Sequence, residues 1–153
     1  MQKFDHIDAQ YRRGILKGYE HFTLVLNDDQ KHLGKSIAWL VRPGTMQRHS
    51  QLSDAETLEL RLVEQEFEKA IETLWHFDHM NYAWLGNLFH EHGGHGHMHL
   101  VPRYAGPREF ADLTFTDDTW GNNFPQSRFK PSEEVFLSIR DALRAKIPGS
   151  ERD

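Results

Sequence analysis

The sequence predicts an α+β domain in which an antiparallel sheet of about five strands packs with one long and one shorter helix. Three observations favour this class. Two β-prone segments, residues 21–26 and 35–42, flank a short connection; apolar residues then recur every three or four positions after residue 53; and histidines alternate with other residues over 95–99. Strand-like and helix-like segments are thus segregated along the chain, which is typical of α+β proteins.

The first two predicted strands form a hairpin. Residues 21–26 (His-Phe-Thr-Leu-Val-Leu) are strand formers that end at Asn27-Asp28-Asp29, a turn signal. Residues 35–42 follow directly after Gly34 and end at Pro43-Gly44. A strand, a short connection and a second strand predict antiparallel pairing.

A long amphipathic helix follows the hairpin. Ser53-Asp54-Ala55-Glu56 has the pattern of a capping box and predicts the helix start. We expect the helix to end near residues 75–77, and we interpret its acidic face as solvated. Its predicted buried stripe consists of Leu60, Val63, Phe67, Ala70, Ile71 and Leu74.

The rest of the chain supplies two further strands and a second helix. Residues 81–85 predict a third strand ended by Gly86-Asn87, and residues 95–102 a fourth. Pro131-Ser132-Glu133-Glu134 predicts the start of the shorter helix, and residues 148–153 a frayed tail. We expect one domain over residues 1–153, with a core at about 20–105 and an irregular segment plus helix over 106–147. The predicted buried stripe of the second helix is Val135, Ile139, Ala142 and Leu143.

Composition limits the classes of function. The chain has 153 residues, no cysteine and a net charge of −5 with neutral histidines. The absence of cysteine excludes disulfides, thiolate metal sites and cysteine nucleophiles, and the acidic balance argues against a nucleic-acid partner. No apolar run is long enough for a membrane span, so we expect a cytoplasmic protein without a membrane partner. The balance does not exclude a locally basic pocket for a small anion, and its candidate cations are Arg42, Arg48, Arg103, Arg108, Arg128 and Lys130.

Three alternating histidines are the strongest functional signal. In a strand, His95, His97 and His99 share one face, whereas on a helix the same spacing would splay the three rings apart. A neutral imidazole can act as nucleophile, general base or metal ligand. His95 and His99 are roughly 13 Å apart along a strand, which is too far for one zinc ion with nitrogen ligands at about 2.0–2.1 Å. The row therefore favours an extended substrate.

Metal binding stays open as a second hypothesis. A mixed set of ligands, His95 and His97 with His90 or His92 from the preceding Gly-rich loop, would avoid the geometry of the straight row. A third hypothesis is a ligand-binding or interaction protein without catalysis.

The run from His95 to Arg103, His-Gly-His-Met-His-Leu-Val-Pro-Arg, resembles the signature of the histidine triad (HIT) superfamily. The hairpin with Asn27 and Gly34, the long helix and the strand ending at Asn87 resemble the family's order of elements over about residues 20–105. Residues 81–87, the Pro-Arg-Tyr after the triad and the Trp-Gly-Asn-Asn at 120–123 resemble bacterial HIT proteins often described as diadenosine polyphosphate hydrolases. The resemblance implies a HIT-like fold and a homodimer.

The resemblance also implies an activity and roles for the histidines. It implies a nucleotide hydrolase or nucleotidyl transferase, acting on a dinucleoside polyphosphate or a nucleoside phosphoramidate through a nucleotidyl-histidine intermediate. His97 matches the nucleophile, His99 the donor of a hydrogen bond to a phosphoryl oxygen, and His95 the residue that orients the nucleophile. No cofactor is required, although a divalent metal is possible.

Substrate-binding positions follow from the same match. Asn27 matches a position that binds ribose hydroxyls, with turn formation as the alternative role, and Asn87 a position that holds the phosphate or leaving group. Arg103 of the Pro-Arg extension is a further candidate. Two residues depart from the pattern. Lys35 stands where many members have a fourth histidine and could supply positive charge, and Gly96 replaces the usual apolar residue between the first two histidines.

Overall fold

Five strands form one antiparallel sheet in a computed structural model that describes residues 3–44, 48–87, 94–123 and 127–153. The strands are β1 (Ile15–Gly18), β2 (Phe22–Leu26), β3 (Ser36–Leu40), β4 (His79–Trp84) and β5 (His97–Arg103), and their order in the sheet is β1-β2-β3-β5-β4. Helix α1 (Asp54–Trp75) lies between β3 and β4 in the chain. A small hairpin of β6 (Arg108–Phe110) and β7 (Leu113–Phe115) follows β5, and helix α2 (Glu133–Lys146) comes after it. The predicted α+β class, with one long and one shorter helix, is confirmed.

The main hydrophobic core lies between one face of the sheet and the two helices. It joins side chains of the central strands, such as Leu24, Leu40 and Leu100, to Phe67 of α1 and Phe136 of α2, all of which are buried. Alternate residues of the same strands point to the opposite face, because side chains alternate along a strand. That opposite face is therefore the one that carries the histidines. In the part of the chain that the structure describes, no helix combines the length and apolarity needed to cross a membrane.

The long helix begins and ends where local signals place it. Ser53 accepts a hydrogen bond from the backbone of Glu56, and the Glu56 side chain accepts one from the backbone of Ser53, which forms the capping box. The helix ends at Trp75, and His76 takes a left-handed conformation that terminates it. The predicted start and end are both correct.

The connection between β2 and β3 is held by a buried glutamine. The Gln30 side chain donates to the carbonyl oxygens of Asn27 and Lys35 at 2.7 and 2.9 Å, and accepts from the Gly34 backbone at 2.8 Å. Gly34 has a φ of +87°, and a Cβ there would lie 2.6 Å from Ile71 of α1. Glycine is thus required both by conformation and by close packing. The rigid connection holds Asn27 and Lys35 side by side.

Several local predictions are wrong for reasons of long-range packing. A 3-10 helix over Ala9–Gly14 and strand β1 precede the predicted core, because β1 gains its structure by pairing with β2. In α2 the predicted Ile139 and Leu143 are buried, but Phe136 and Arg140 are buried in place of Val135 and Ala142. The tail is not frayed, since the backbone of Glu151 donates to Leu16 at 2.8 Å and Asp153 pairs with Arg140 at 2.7 Å.

Candidate active site

The second face of the sheet brings the triad against an apolar surface. His99 pairs with Ile37 and His97 with Trp39 across β5 and β3. Ile37 and Trp39 belong to a separate buried cluster with Val25 of β2, to which the N-terminal residues Ile7, Ile15, Phe4 and Tyr11 add side chains. The predicted sharing of one face by His97 and His99 is thus seen in the strand pairing, and the N-terminal segment packs against that face.

His97 is oriented by a backbone carbonyl. Its Nδ1 lies 3.3 Å from the carbonyl oxygen of His95. Because a carbonyl oxygen only accepts, Nδ1 carries the proton and the lone pair of the neutral ring is on Nε2. The side chain is completely buried, and its ring centre lies 5.1 Å from that of His99 in an edge-to-face arrangement.

His95 lies just before β5 instead of within it. Its Nδ1 donates to the carbonyl oxygen of Leu40 at 2.8 Å, which anchors the ring to β3. A fourth imidazole, His6, has its ring centre 6.0 Å from that of His95 and bonds Thr23 at 2.8 Å. Burial lowers the pKa of His6, and the neighbouring His95 lowers it further. Sequence reasoning missed His6, because nothing near it in the chain signals contact with a residue so far along.

A pocket of about 270 Å³ adjoins the third histidine. This volume is close to the lower end of the range for small-molecule sites, about 300 Å³. The pocket brings together three of the predicted site residues, His99, Asn27 and Lys35. The rest of its lining is Tyr11, Val25, Leu26, Asp28, Asp29, Ile37, Trp39, Arg128 and Lys130. Aromatic and aliphatic walls with a polar end suit a ligand that is apolar in one part and polar in another.

Asn27 forms a turn and also lines the pocket. Its Oδ1 accepts a hydrogen bond from the Asp29 backbone at 2.8 Å, the pattern of an Asx turn. The alternative role considered from the sequence is therefore present in the structure. It does not exclude ligand binding, since the turn uses the oxygen of the amide and the pocket can use its nitrogen.

Lys35 contributes a partly buried cation to the pocket. Its Nζ lies 3.5 Å from a carboxylate oxygen of Asp29. Burial lowers the pKa of Lys35, although the charge and hydrogen bond of Asp29 act in the opposite direction.

Arg103 lies away from the pocket, under residues 117–122. Its guanidinium donates to both carboxylate oxygens of Asp117 and to the carbonyl oxygens of Thr119 and Asn122, at 2.6–3.0 Å. Four of its five N–H groups are thus engaged. The structure does not bring Arg103 together with the triad, and its geometry favours a positioning role.

Asn87 is exposed and follows β4, whose last residue, Trp84, pairs with Met98 between two of the histidines. The loop that joins Asn87 to the triad, residues 88–93, lies outside the described residues. The predicted ligands His90 and His92 fall in that loop.

The triad does not form a metal cluster with other described residues. Within residues 3–44, 48–87, 94–123 and 127–153, the one group of three side chains whose ligand atoms could share an ion is Glu20, His21 and Glu59. The Glu59 carboxylate already accepts hydrogen bonds from the Glu20 and His21 backbones at 3.1 and 2.6 Å. This group lies apart from the pocket lining.

Solved structures identify the fold. No protein-family model matches the chain, and no curated protein matches it in sequence. A histidine triad protein from Marinobacter aquaeolei is 20% identical, with 95% of each chain covered and a TM-score of 0.64. One from Sinorhizobium meliloti is 15% identical over 89% of this chain and 91% of that one, with a TM-score of 0.68. A zinc-bound one from Mycobacterium smegmatis is 19% identical over 86% and 84%, with a TM-score of 0.57.

These similarities, together with the strand order and the position of the three histidines, define the class of protein. The chain has the histidine triad fold. The resemblance derived from the sequence is confirmed at the level of the fold.

Proposed function

We propose that the chain is a nucleotide hydrolase or nucleotidyl transferase of the HIT type, acting at the α-phosphate of a dinucleoside polyphosphate or a nucleoside phosphoramidate. One observation carries this proposal. The Nδ1 of His97 donates to the His95 carbonyl, so its lone pair is on Nε2, and its buried ring lies edge to face against His99, which lines a pocket with polar and aromatic side chains.

The reaction has two displacement steps. In the first, Nε2 of His97 attacks the α-phosphorus, a P–N bond forms, and the bond from phosphorus to the leaving group breaks; a leaving oxygen keeps the electron pair, and a leaving nitrogen takes up a proton as it departs. In the second, water attacks the same phosphorus and loses a proton to solvent, the P–N bond breaks, and the nucleoside monophosphate leaves while Nε2 recovers its lone pair. An alcohol or second phosphate in place of water makes the reaction a transfer.

The other triad members support this chemistry from fixed positions. His99 lines the pocket and touches the His97 ring edge to face, so a phosphate bound at His99 lies beside the nucleophile. Its ring N–H donates to a phosphoryl oxygen, where charge develops in the transition state. His95 orients His97 through its own backbone carbonyl, and is itself held by Leu40.

Three of the predicted substrate-binding residues contact the substrate, and the fourth acts through other residues. Asn27 binds the ribose hydroxyls and Lys35 supplies positive charge at the same end of the pocket. Asn87, after the edge strand β4, holds the phosphate or leaving group. Arg103 acts indirectly, by fixing residues 117–122 over the end of β5.

A hydrolysis panel tests the reaction. Diadenosine tri- and tetraphosphate, ADP and an adenosine phosphoramidate are assayed with the wild-type chain, His97→Ala and His99→Ala, each with and without a chelator. We expect His97→Ala to lose several orders of magnitude in rate, because it removes the nucleophile. His76→Asn is the matched control, since His76 is exposed and asparagine tolerates its left-handed backbone.

Three outcomes decide between the hypotheses. Normal turnover by His97→Ala with an inactive His99→Ala overturns the assignment of roles. Loss of turnover with chelator, together with stoichiometric metal in the purified protein, favours the metal-dependent alternative over a reaction that needs no cofactor. Nucleotide binding without turnover favours the non-catalytic alternative, in which Lys35 and Gly96 have removed activity.

We also propose that the protein is a homodimer. β4 is an edge strand, and Tyr82 in it is 45% exposed while its hydroxyl donates to Glu68 of α1. Leu58 and Leu62, also exposed, lie on α1. An edge strand can pair with a second copy through a two-fold axis. Light scattering after size-exclusion chromatography should give twice the mass of the chain.

A further inference from the structure

Two cations that line the pocket, Arg128 and Lys130, are not used by the proposed reaction. His99 on β5 is aligned, across β3, with Val25 on β2, and Asn27 lies two residues beyond Val25. At ordinary sheet spacings the backbones of His99 and Asn27 are therefore about 12 Å apart. Arg128 and Lys130 line the same pocket from a segment near the C-terminal helix. A ligand whose phosphate lies at the triad extends along this direction.

The backbone between the two cations is fixed to the pocket. The N–H of Phe129 donates to a carboxylate oxygen of Asp29 at 3.0 Å, and its carbonyl oxygen accepts from the backbone of Gln30 at 2.7 Å. The Phe129 ring also packs edge to face against Phe115, with 5.9 Å between centres. The backbone on which Arg128 and Lys130 stand is therefore held at the pocket, while both of their side chains are exposed.

The carboxylates of the pocket are already paired with other cations. Asp28 lies 2.8 Å from Arg13, and Asp29 lies 3.5 Å from Lys35. Among the residues that the structure describes, neither Arg128 nor Lys130 has an acidic group within ion-pair distance. Within the described part of the chain, Arg128 and Lys130 thus differ from Lys35 in having no carboxylate paired with them.

Most of the other candidate cations for a basic pocket have different roles. Arg42 pairs with Glu56 at 2.7 Å, Arg103 is bound to Asp117, and Arg108 donates to the carbonyl oxygens of Trp75 and His76. Of the six candidate cations named from the sequence, Arg128 and Lys130 line the pocket beside the triad.

We propose that Arg128 and Lys130 bind a second phosphate group of the substrate, carried on the ribose of the nucleotide. This inference rests on the proposed function for its orientation. With the α-phosphate at His97 and His99 and the ribose at Asn27, the 2′ and 3′ oxygens face away from the triad, toward the connection after β2 to which the backbone between the two cations is hydrogen-bonded. The substrate class is then a nucleotide phosphorylated on its ribose as well as at its 5′ position.

Titration calorimetry on the full chain tests the second site. The ligands are AMP, adenosine 2′,5′-bisphosphate, adenosine 3′,5′-bisphosphate and ADP. We expect one of the two bisphosphates to bind more tightly than AMP by about tenfold or more, because a second phosphate gains charge-assisted hydrogen bonds. ADP carries its additional phosphate at the other end of the molecule and should not gain from these cations.

Three double variants connect the gain to the named residues. Arg128→Ala with Lys130→Ala should abolish the advantage of the bisphosphate. The charge-conserving pair Arg128→Lys with Lys130→Arg should keep most of it, and Lys69→Ala with Lys146→Ala, which removes two lysines elsewhere on the surface, should keep all of it. Melting temperatures show that each variant is folded.

The outcomes separate this site from the reaction. Equal affinity for AMP and both bisphosphates overturns the second phosphate site, as does an advantage that survives in the alanine pair. A chain that hydrolyses the panel but shows no advantage overturns the second site alone. An advantage without hydrolysis keeps the site and overturns the reaction, and binding of no nucleotide overturns both.

Discussion

The carboxylate of Asp117 accepts two hydrogen bonds from the guanidinium of Arg103, at 2.6 and 3.0 Å, and both side chains are almost completely buried. Burial by itself would raise the pKa of Asp117, but the hydrogen bonds and charge of Arg103 and the nearby His32 hold it below its ordinary value. The pair ties the last residue of the triad strand to the segment that follows β7. It explains why Arg103 is a supporting residue.

Asp117→Asn should destabilise the protein by about 3–5 kcal/mol, because it leaves the buried charge of Arg103 without a counter-charge. Urea denaturation at neutral pH measures the loss. Asp118→Asn is the control, since Asp118 is half exposed and pairs with Lys31 at 3.0 Å. We expect its cost to be below about 1 kcal/mol. Similar small losses for both variants would contradict a structural role for the Arg103 pair.

Glu56 should contribute stability that disappears in acid. The hydrogen bonds from Arg42 lower the pKa of Glu56 to about 2, from an ordinary value of 4.5. A lowered pKa stabilises the fold above the unfolded value, and this contribution is lost as the pH falls toward 2. Glu56→Gln keeps the capping box but removes the charge. Its deficit in unfolding free energy should therefore narrow between pH 4.5 and 2. Glu109→Gln, at an exposed position, is the control for the substitution itself and should cost little at neutral pH.

Gly34→Ala should cost more than about 2 kcal/mol. Alanine is strained at a φ of +87°, and its Cβ would overlap Ile71 and Trp75 of α1. Gly44→Ala is the matched comparison, because Gly44 also has a positive φ but a methyl group added there would meet no heavy atom within 4 Å. In thermal unfolding, the melting temperature of Gly34→Ala should be well below that of Gly44→Ala. Equal melting temperatures would mean that α1 accommodates the added methyl group at no cost in free energy.

Asn27→Ser separates the turn from ligand binding. Serine keeps an oxygen that can accept from the Asp29 backbone, though more weakly, and loses the longer amide donor. We expect a small change in melting temperature, and a KM that rises by about tenfold, as the loss of one hydrogen bond to a ligand implies. An unchanged KM would assign Asn27 to the turn alone.

Local signals predicted the elements that depend on neighbouring residues. The start of α1 follows from Ser53 and Glu56, three residues apart, and the buried Leu60, Val63, Phe67, Ala70 and Ile71 follow from apolar spacing along one helix. Two details were wrong: Trp75 is buried in place of Leu74, and Glu56, on the face interpreted as solvated, is buried and paired with Arg42. Strand β1 carries no comparable signal in its four residues, because it is defined by its pairing with β2. Arg140 was not predicted to be buried, since its partner Asp153 and the carbonyl of Arg13 are remote along the chain.

The residues of the site show the same difference between local signals and long-range contacts. His95, His97 and His99 could be found from their spacing, whereas their pairing with β3 joins segments about 60 residues apart and could not. His6 contacts His95 from the N-terminal segment and Trp39 contacts His97 from β3, and no local pattern in the sequence indicates either contact. The assignment of Arg103 to the substrate could not be judged without Asp117, its partner 14 residues later.

The sequence by itself determined the fold class, the limits of the long helix and the chemistry of an imidazole row, because each depends on side-chain type and spacing over a few residues. Only the tertiary structure decided which nitrogen of His97 carries the lone pair and which cations reach the pocket. Those outcomes depend on contacts such as that between Asp29 and Phe129, 100 residues apart. Such contacts form when the whole chain packs around a common core, and they leave no periodic trace in the sequence.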